Sequence, residues 1–199
     1  MNTITPLRIF MTGVGGQGTL TATTLLAKAA LLRGLPVTSG EIHGMAQRGG
    51  VVESTLLIGL KSPKIGPGEA DVLLGFEPLE TLRALPYLRR DGLIFSSSES
   101  IPPLSVATGQ HACPDLDAVR EKIAQWTGKA HYIPCQTLGL QAGAAQSGNI
   151  ALLGAAAEAG AFPFGIDALE EAIRGNMKAK VADINLKALE LGRNAVVRS

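Results

Sequence analysis

A chain of 199 residues, 46% apolar and 18% charged, is long and apolar enough to bury a substantial core, which excludes a disordered or fibrous protein. A formal net charge of +1, with 4% aromatic residues and no dense Lys/Arg run, leaves no electrostatic footprint for a nucleic acid or an anionic membrane, so neither is expected as a partner. Residues Met1 to Phe10 lack the basic start, apolar core and small-residue cleavage site of a signal peptide, and the chain reads as cytoplasmic.

Leu7 to Thr12 is a short apolar run that stops at glycines, and Leu20, Thr24, Ala27 and Leu31 then recur at helical spacing between Thr19 and Arg33. Gly34 suits the helix C-terminal cap and Pro36 cannot continue the helix. Val37 to Ser39 is therefore predicted as a second strand, parallel to the first, in one strand-helix-strand unit. Gly40 to Gly50 is glycine-broken and reads as a long, adaptable loop at the carboxyl end of that strand, where function tends to collect. Val51 to Ile58, rich in β-branched and aliphatic residues, reads as a strand closed by the Lys61 to Lys64 turn and the Gly66-Pro67-Gly68 punctuation. Asp71 to Phe76 follows as a buried strand, Pro78 to Leu88 as a short helix with Pro78 in its first turn, and Leu93 to Ser97 as the next strand. Ser96 to Pro103 is the least regular stretch.

Pro114-Asp115 opens a helix to about Thr127, with acidic residues in its first turn where the helix dipole favours them, and Ala130 to Cys135 supplies the last strand. From Gln136 onward the chain reads as helical, with Asn149 as an N-cap, Asp167 to Glu170 as a capping arrangement, and Val181, Ile184, Ala188 and Leu191 at helical spacing before Gly192. Ala130 to Ala157 carries no formal charge apart from His131, yet Pro134, Gln136, Gln141, Gln146, Ser147 and Asn149 interrupt it, so it reads as a buried segment and not a membrane span. The Gly- and Ala-rich helices between Leu138 and Ala161 suit close backbone approach, against the sheet or against another subunit. Apolar strands alternating with helices predict an α/β domain with a mainly parallel sheet covered on both faces, and no linker divides residues 1–199.

The segment Gly13 to Gly18 (GVGGQG) carries G-x-G-x-x-G on Gly13, Gly15 and Gly18, with Gly16 between them and Gln17 as a neutral amide. Such a turn offers backbone N–H groups to phosphate at the start of a helix, or else only shapes a tight strand-to-helix junction. Glu41 falls about twenty residues past the glycines, where a dinucleotide-binding fold places its ribose acid, so a self-contained NAD-dependent oxidoreductase is one reading. His43 and Arg48 in the glycine-rich loop can bind a carboxylate or phosphate, or anchor the loop or a subunit contact. His111 and His131 have no nearby carboxylate or cysteine arranged as a triad or metal site and read as structural. Cys113 and Cys135 are the only cysteines, too few for a standard iron-sulfur cluster or structural zinc site, and read as reduced, packed thiols.

GVGGQG before a helix, then GEIHGMAQRGGVVES from Gly40 to Ser54, resembles the gamma-type subunit or domain of the 2-oxoacid:ferredoxin oxidoreductases. The likeness continues through ADVLLGFEP, SGNIALLGAAAEAG and KAKVADINLKALELG, and is closest to the small chain of the two-subunit enzymes that act on indolepyruvate. The resemblance implies a Rossmann-like three-layer sandwich and a reaction in which an arylpyruvate, coenzyme A and oxidised ferredoxin give an aryl-acetyl coenzyme A, carbon dioxide and reduced ferredoxin. It implies that thiamine diphosphate, magnesium and the iron-sulfur clusters belong to a large alpha subunit, so that this chain holds no cofactor and is inactive alone. It further implies that Gly13, Gly15, Gly16, Gln17 and Gly18, with Glu41, His43, Gln47 and Arg48, lie at a ligand or subunit junction. Related chains carry a basic residue where this one has Leu57, which bears on any coenzyme A contact. A non-catalytic assembly subunit is the other reading, and an isolated chain with its partner face bare is expected to be able to form a homodimer.

Overall fold

The apolar run after the amino terminus becomes strand β1 (Leu7–Val14), buried on both faces over its centre, and it leads through the glycine turn into helix α1 (Thr19–Leu32). The structure, a computed structural model, describes residues 5–43, 50–100 and 115–196, with the side chain of His43 outside that description. Helix α1 ends as its sequence predicts. Gly34 takes φ 69, Gly34 N donates to Leu31 O and Leu35 N to Ala30 O, the paired bonds of a glycine-stopped helix. The chain continues through β2 (Val37–His43), β3 (Val51–Ile58), β4 (Ala70–Gly75), α2 (Pro78–Ala84), β5 (Leu88–Ser97), α3 (Leu116–Ala124) and β6 (Ala130–Ile133). It finishes in α4 (Cys135–Ala142), α5 (Gly148–Glu158), α6 (Gly165–Asn176) and α7 (Ala179–Val196).

The six strands form one sheet in the order β2-β3-β1-β4-β5-β6. Pairs β1/β4, β4/β5 and β5/β6 are parallel, whereas β3 runs antiparallel to both β1 and β2. The sheet is thus mostly parallel, as predicted, and β1 and β2 share a direction, but the two strands of the opening unit are not neighbours. Strand β2 runs in the direction of β1 without touching it, because β3 is inserted between them. The predicted loop from Gly40 is also too long: β2 continues to His43, since pairing of Glu41 with Ser54 and of Ile42 with Glu53 fixes a backbone whose glycine content argued against a strand.

Side chains of the sheet divide by alternation. On one face Ile9, Met11, Leu56, Leu74 and Phe95 pack under α1 and the four C-terminal helices, and on the other Phe10, Leu57, Leu73 and Ile94 pack under α2 and α3. These are the three layers. Each fully buried Leu or Ile contributes roughly 1.5–3 kcal/mol relative to exposure. Helix α5 is buried from Gly148 to Ala156 and lies against α7, where a Cβ at Gly154 would stand 2.1 Å from Leu189 O and one at Gly192 1.8 Å from Ala151 O. The glycines and alanines from Gly148 to Ala156 therefore serve packing inside the chain, and Gly192 lies within α7. Asp167 and Glu170 likewise fall inside α6, which begins at Gly165, so they form no cap. Among the described residues no helix is long and apolar enough to cross a membrane.

Candidate functional site

Because β1, β4, β5 and β6 run parallel, the segments that follow them emerge at one edge of the sheet, where α/β proteins place ligands. There Val14 to Gln17, Phe76, Ser97, Glu99 and Cys135 meet Gln136, Gln146 and Asn149 around a cleft of about 340 Å³. The glycine turn and the junction of α4 with α5 both contribute to its lining.

The turn is held from within. Val14 N donates to Gln17 Oε1 at 2.7 Å and Gln17 Nε2 donates to Phe76 O at 3.0 Å, so this side chain ties the end of β1 to the end of β4. Gly13 allows it, since a Cβ there would stand 2.8 Å from Gln17 Oε1 and 3.1 Å from the Phe76 Cβ. Gly15 N donates to Gly50 O at 2.8 Å, which joins the turn to the start of β3. Gly16 and Gly18 have φ 103 and 79, a region that side chains with a Cβ rarely adopt. Asn149 Nδ2 donates to Gly18 O at 3.0 Å, bringing α5 against the turn. The N–H groups of Val14 and Gly15 are therefore committed inside the protein, and the turn is a poorer phosphate cradle than its glycine spacing suggests.

Glu99 lines the same cleft. Thr137 N donates to Glu99 Oε2 at 3.0 Å and Thr137 Oγ1 donates to Glu99 Oε1, so the carboxylate caps the first turn of α4. A reciprocal pair aims it: Glu99 N donates to Ser97 Oγ at 3.1 Å, and Ser97 Oγ to Glu99 O at 2.9 Å. Among the described residues no Lys, Arg or His lines the cleft. Cys135 at its base is buried as a free thiol, and burial pushes that thiol up to about 12, which keeps it protonated and inert.

The sequence-predicted residues divide as follows. Gly13, Gly15, Gly16, Gln17 and Gly18 form the turn at the cleft. Glu41 and the backbone of His43 reach the same sheet edge, because Glu41 pairs with Ser54 and His43 with Val52, which in turn pairs with Gly13. They stand two strands from β1, roughly 10 Å at the usual spacing of neighbouring strands. Gln47 and Arg48 lie outside the described residues, as do His111 and Cys113. An acid on the neighbouring strand would meet a ribose bound over the turn, but here β3 intervenes, and this geometry speaks against the NAD reading of Glu41. His131 stacks on Phe95 with ring centroids 4.9 Å apart, a packing role. Leu57 pairs with Arg8 at the far edge of the sheet and is buried in the core, so it cannot face a ligand at the cleft.

Sequence reasoning missed Glu99, Gln136, Gln146 and the true role of Asn149. Asn149 was expected to cap a helix, but α5 already begins at Gly148 and its amide reaches the glycine turn. Glu99 lay in the stretch that showed no periodicity. On the other face of the sheet, Glu77 caps α2 by accepting from Glu80 N at 3.0 Å and from Ser100 Oγ at 2.7 Å. Burial raises the carboxyl of Glu80 above the ordinary range against the lowering effect of Arg83, and burial also raises Glu53. Among the described residues no three His, Cys, Asp or Glu side chains converge on a metal position.

Comparison with known proteins gives a consistent result. The family model for pyruvate ferredoxin/flavodoxin oxidoreductase matches residues 8–195. The indolepyruvate oxidoreductase subunit IorB of Archaeoglobus fulgidus is 39% identical over 192 residues, covering 96% of each chain. The gamma subunit of a keto/oxoacid ferredoxin oxidoreductase from Geobacter sulfurreducens shares the fold with a TM-score of 0.72 at 21% identity, covering 98% of both chains. A 2-oxoglutarate:ferredoxin oxidoreductase of Magnetococcus marinus, solved with 2-oxoglutarate, coenzyme A and succinyl-CoA bound, shares it with a TM-score of 0.69 at 19% identity. This chain corresponds to 32% of that longer one.

Proposed function

The chain belongs to the pyruvate ferredoxin/flavodoxin oxidoreductase family, and we propose that it is the small subunit of a two-subunit 2-oxoacid:ferredoxin oxidoreductase whose substrate is an arylpyruvate such as indolepyruvate. The observation that carries this is the 39% identity to an indolepyruvate oxidoreductase subunit across nearly the full length of both chains. In the reaction the 2-oxoacid loses its carboxyl as carbon dioxide, two electrons pass one at a time to ferredoxin, and the acyl group is taken up by the thiol of coenzyme A.

The donor set of this chain suits a supporting half of such an enzyme. A standard iron-sulfur cluster takes four thiolate ligands, and the chain has two cysteines, of which the one at the cleft is buried and held protonated. Thiamine diphosphate needs cations for its diphosphate, and the cleft offers a carboxylate and amides instead. The described lining of the cleft does not suit these groups, and we assign them with magnesium to a large alpha subunit. The glycine turn, the cleft and the Glu41 to Gly50 segment are the parts we assign to the junction with that subunit, where they would shape the entrance to its thiamine site and receive part of coenzyme A. The enzyme is assigned to the cytoplasm.

Anaerobic affinity purification of the chain from its own cells tests this. The expected eluate contains a stoichiometric larger chain with iron and thiamine, and reduces ferredoxin in the presence of arylpyruvate and coenzyme A. A chain recovered intact with neither partner nor activity contradicts it. In the complex, Arg48→Ala is expected to lower turnover while the subunits stay together; full activity would instead favour a subunit that only assembles the enzyme.

A further inference from the structure

Helix α1 lies at the surface with the composition of an interior helix. Its residues are leucine, alanine and threonine apart from a single charged side chain, Lys28. The other helices on this face of the sheet show what such a composition requires. The surface helix α6 presents Asp167, Glu171 and Arg174 to solvent, whereas α5, whose one charge is Glu158, is buried from Gly148 to Ala156. A helix that is apolar on all sides belongs where all its sides are covered. Yet Leu20, Leu31 and Leu32 of α1 are 50%, 60% and 45% exposed. They are not scattered singly, as exposed leucines commonly are. Leu20, Thr24, Lys28 and Leu31 follow one another at steps of four, four and three along one side of the helix. Thr24 does little to make that side polar, because its hydroxyl donates to Leu20 O at 2.9 Å.

At its carboxyl end this side opens into a groove of about 420 Å³, lined by Lys28, Leu31 and Leu32 of α1 and by Ala172 and Gly175 of α6. Glu171 on its rim is paired with Arg33 at 3.4 Å, and Lys28 has no ion-pair partner among the described residues. An occupant that suits the groove is therefore apolar and brings a carboxylate to Lys28. Its size identifies the occupant further. One side of a helix of 14 residues measures about 21 Å by 10 Å, roughly 200 Å², against about 800 Å² per partner in a stable interface. The stripe is too small to hold a second copy by itself and belongs to the flank of a larger contact. Helix α1 begins at the glycine turn, which is part of the junction assigned to the large subunit, and Leu20 lies in its first turn. We propose that the side of α1 from Leu20 to Leu32, with its groove against α6, is a docking surface for the large subunit, which covers it with an apolar segment and sets a carboxylate against Lys28. The proposal rests on the subunit assignment made above.

Anaerobic calorimetric titration of the full chain into the purified large subunit tests this. Leu31→Asp is the decisive variant, because Leu31 stands roughly 16 Å along the helix from Leu20 and so cannot act by disturbing the glycine turn. It is expected to weaken association by at least about tenfold while the Tm of the isolated chain is unchanged. Lys28→Glu is expected to weaken it by about tenfold at low salt, with the loss shrinking as salt is raised. Val181→Asp puts the same charge at an exposed apolar position of α7 and should leave the affinity within about twofold of wild type. Should Leu31→Asp fail to fold, Leu20→Asp and Lys28→Glu decide the outcome. Wild-type affinity in Leu31→Asp, or an equal loss in Val181→Asp, overturns the proposal and leaves the subunit assignment standing. An isolated chain that is dimeric by sedimentation and becomes monomeric in Leu31→Asp gives this face to a second copy and overturns the large subunit as its occupant. A wild-type chain that does not bind the large subunit overturns both the docking surface and the subunit assignment.

Discussion

Gln17→Ala separates a residue that builds the site from one that merely contacts a ligand. Gln17 joins two strand ends through one donated and one accepted backbone bond, Val14 N to Oε1 at 2.7 Å and Nε2 to Phe76 O at 3.0 Å. Each such bond contributes about 1 kcal/mol net, and stranding its backbone partner costs more where water cannot reach it. The adjoining cleft lets water rescue part of that loss, so truncation is expected to destabilise the protein by about 2 kcal/mol. For a chain of this size that corresponds to roughly 4–8 °C in Tm and about 1 M in the urea midpoint. Gln17→Glu is the sharper probe, because it keeps the acceptor for Val14 N and turns the donor facing Phe76 O into a carboxylate oxygen. Its destabilisation should match or exceed that of alanine at neutral pH and relax as the carboxyl protonates. Urea unfolding followed by circular dichroism measures both. If Gln17→Ala unfolds at the wild-type midpoint, the two bonds do not hold the turn and the residue must be read as a ligand contact.

Gly192→Ala should cost about 3 kcal/mol or more, because its Cβ would overlap the Ala151 carbonyl where α7 crosses α5; an unchanged Tm would mean that the helices separate freely. Glu53→Gln should change the pH dependence of stability. Burial raises the folded-state pKa of this carboxyl above its unfolded value, so its contribution is intact below the unfolded value and is lost as pH rises through the folded one. The variant should therefore be more stable than wild type at neutral pH and not in acid, and parallel stability curves would refute the assignment. Cys135, with its thiol pushed up to about 12, should resist alkylation at mildly alkaline pH until the protein is unfolded, as read by peptide mass mapping; rapid labelling of the native chain would show the base of the cleft to be open.

What the sequence revealed of the fold followed locality. Strand β3 was legible to the residue, since Val51 to Ile58 carries its own signal, and α1 was legible because Gly34 ends it by a local bond pattern. The insertion of β3 between β1 and β2 was not legible, because strand pairing is decided across the sheet. The same pairing drew Glu41 to His43 into β2 against their glycine-rich context. Gly192 follows the apolar pattern of the last helix in the sequence, but that it marks a helix crossing depends on Ala151, some forty residues away. At the site, the glycine turn was visible in the sequence, but the commitment of its N–H groups was not. Gln17 reads in the sequence as a neutral amide at a ligand or subunit junction, which gives no sign that it ties two strand ends, and Glu99 had no motif to announce it because its partner, Thr137, lies in another element.

The most direct test of the account is to titrate this chain into its purified large subunit under anaerobic conditions and follow arylpyruvate- and coenzyme A-dependent reduction of ferredoxin. The account predicts no turnover from this chain alone, and activity that rises with added chain and levels off at a fixed subunit ratio. Turnover by the large subunit that is indifferent to this chain, or by this chain without the large subunit, would contradict it.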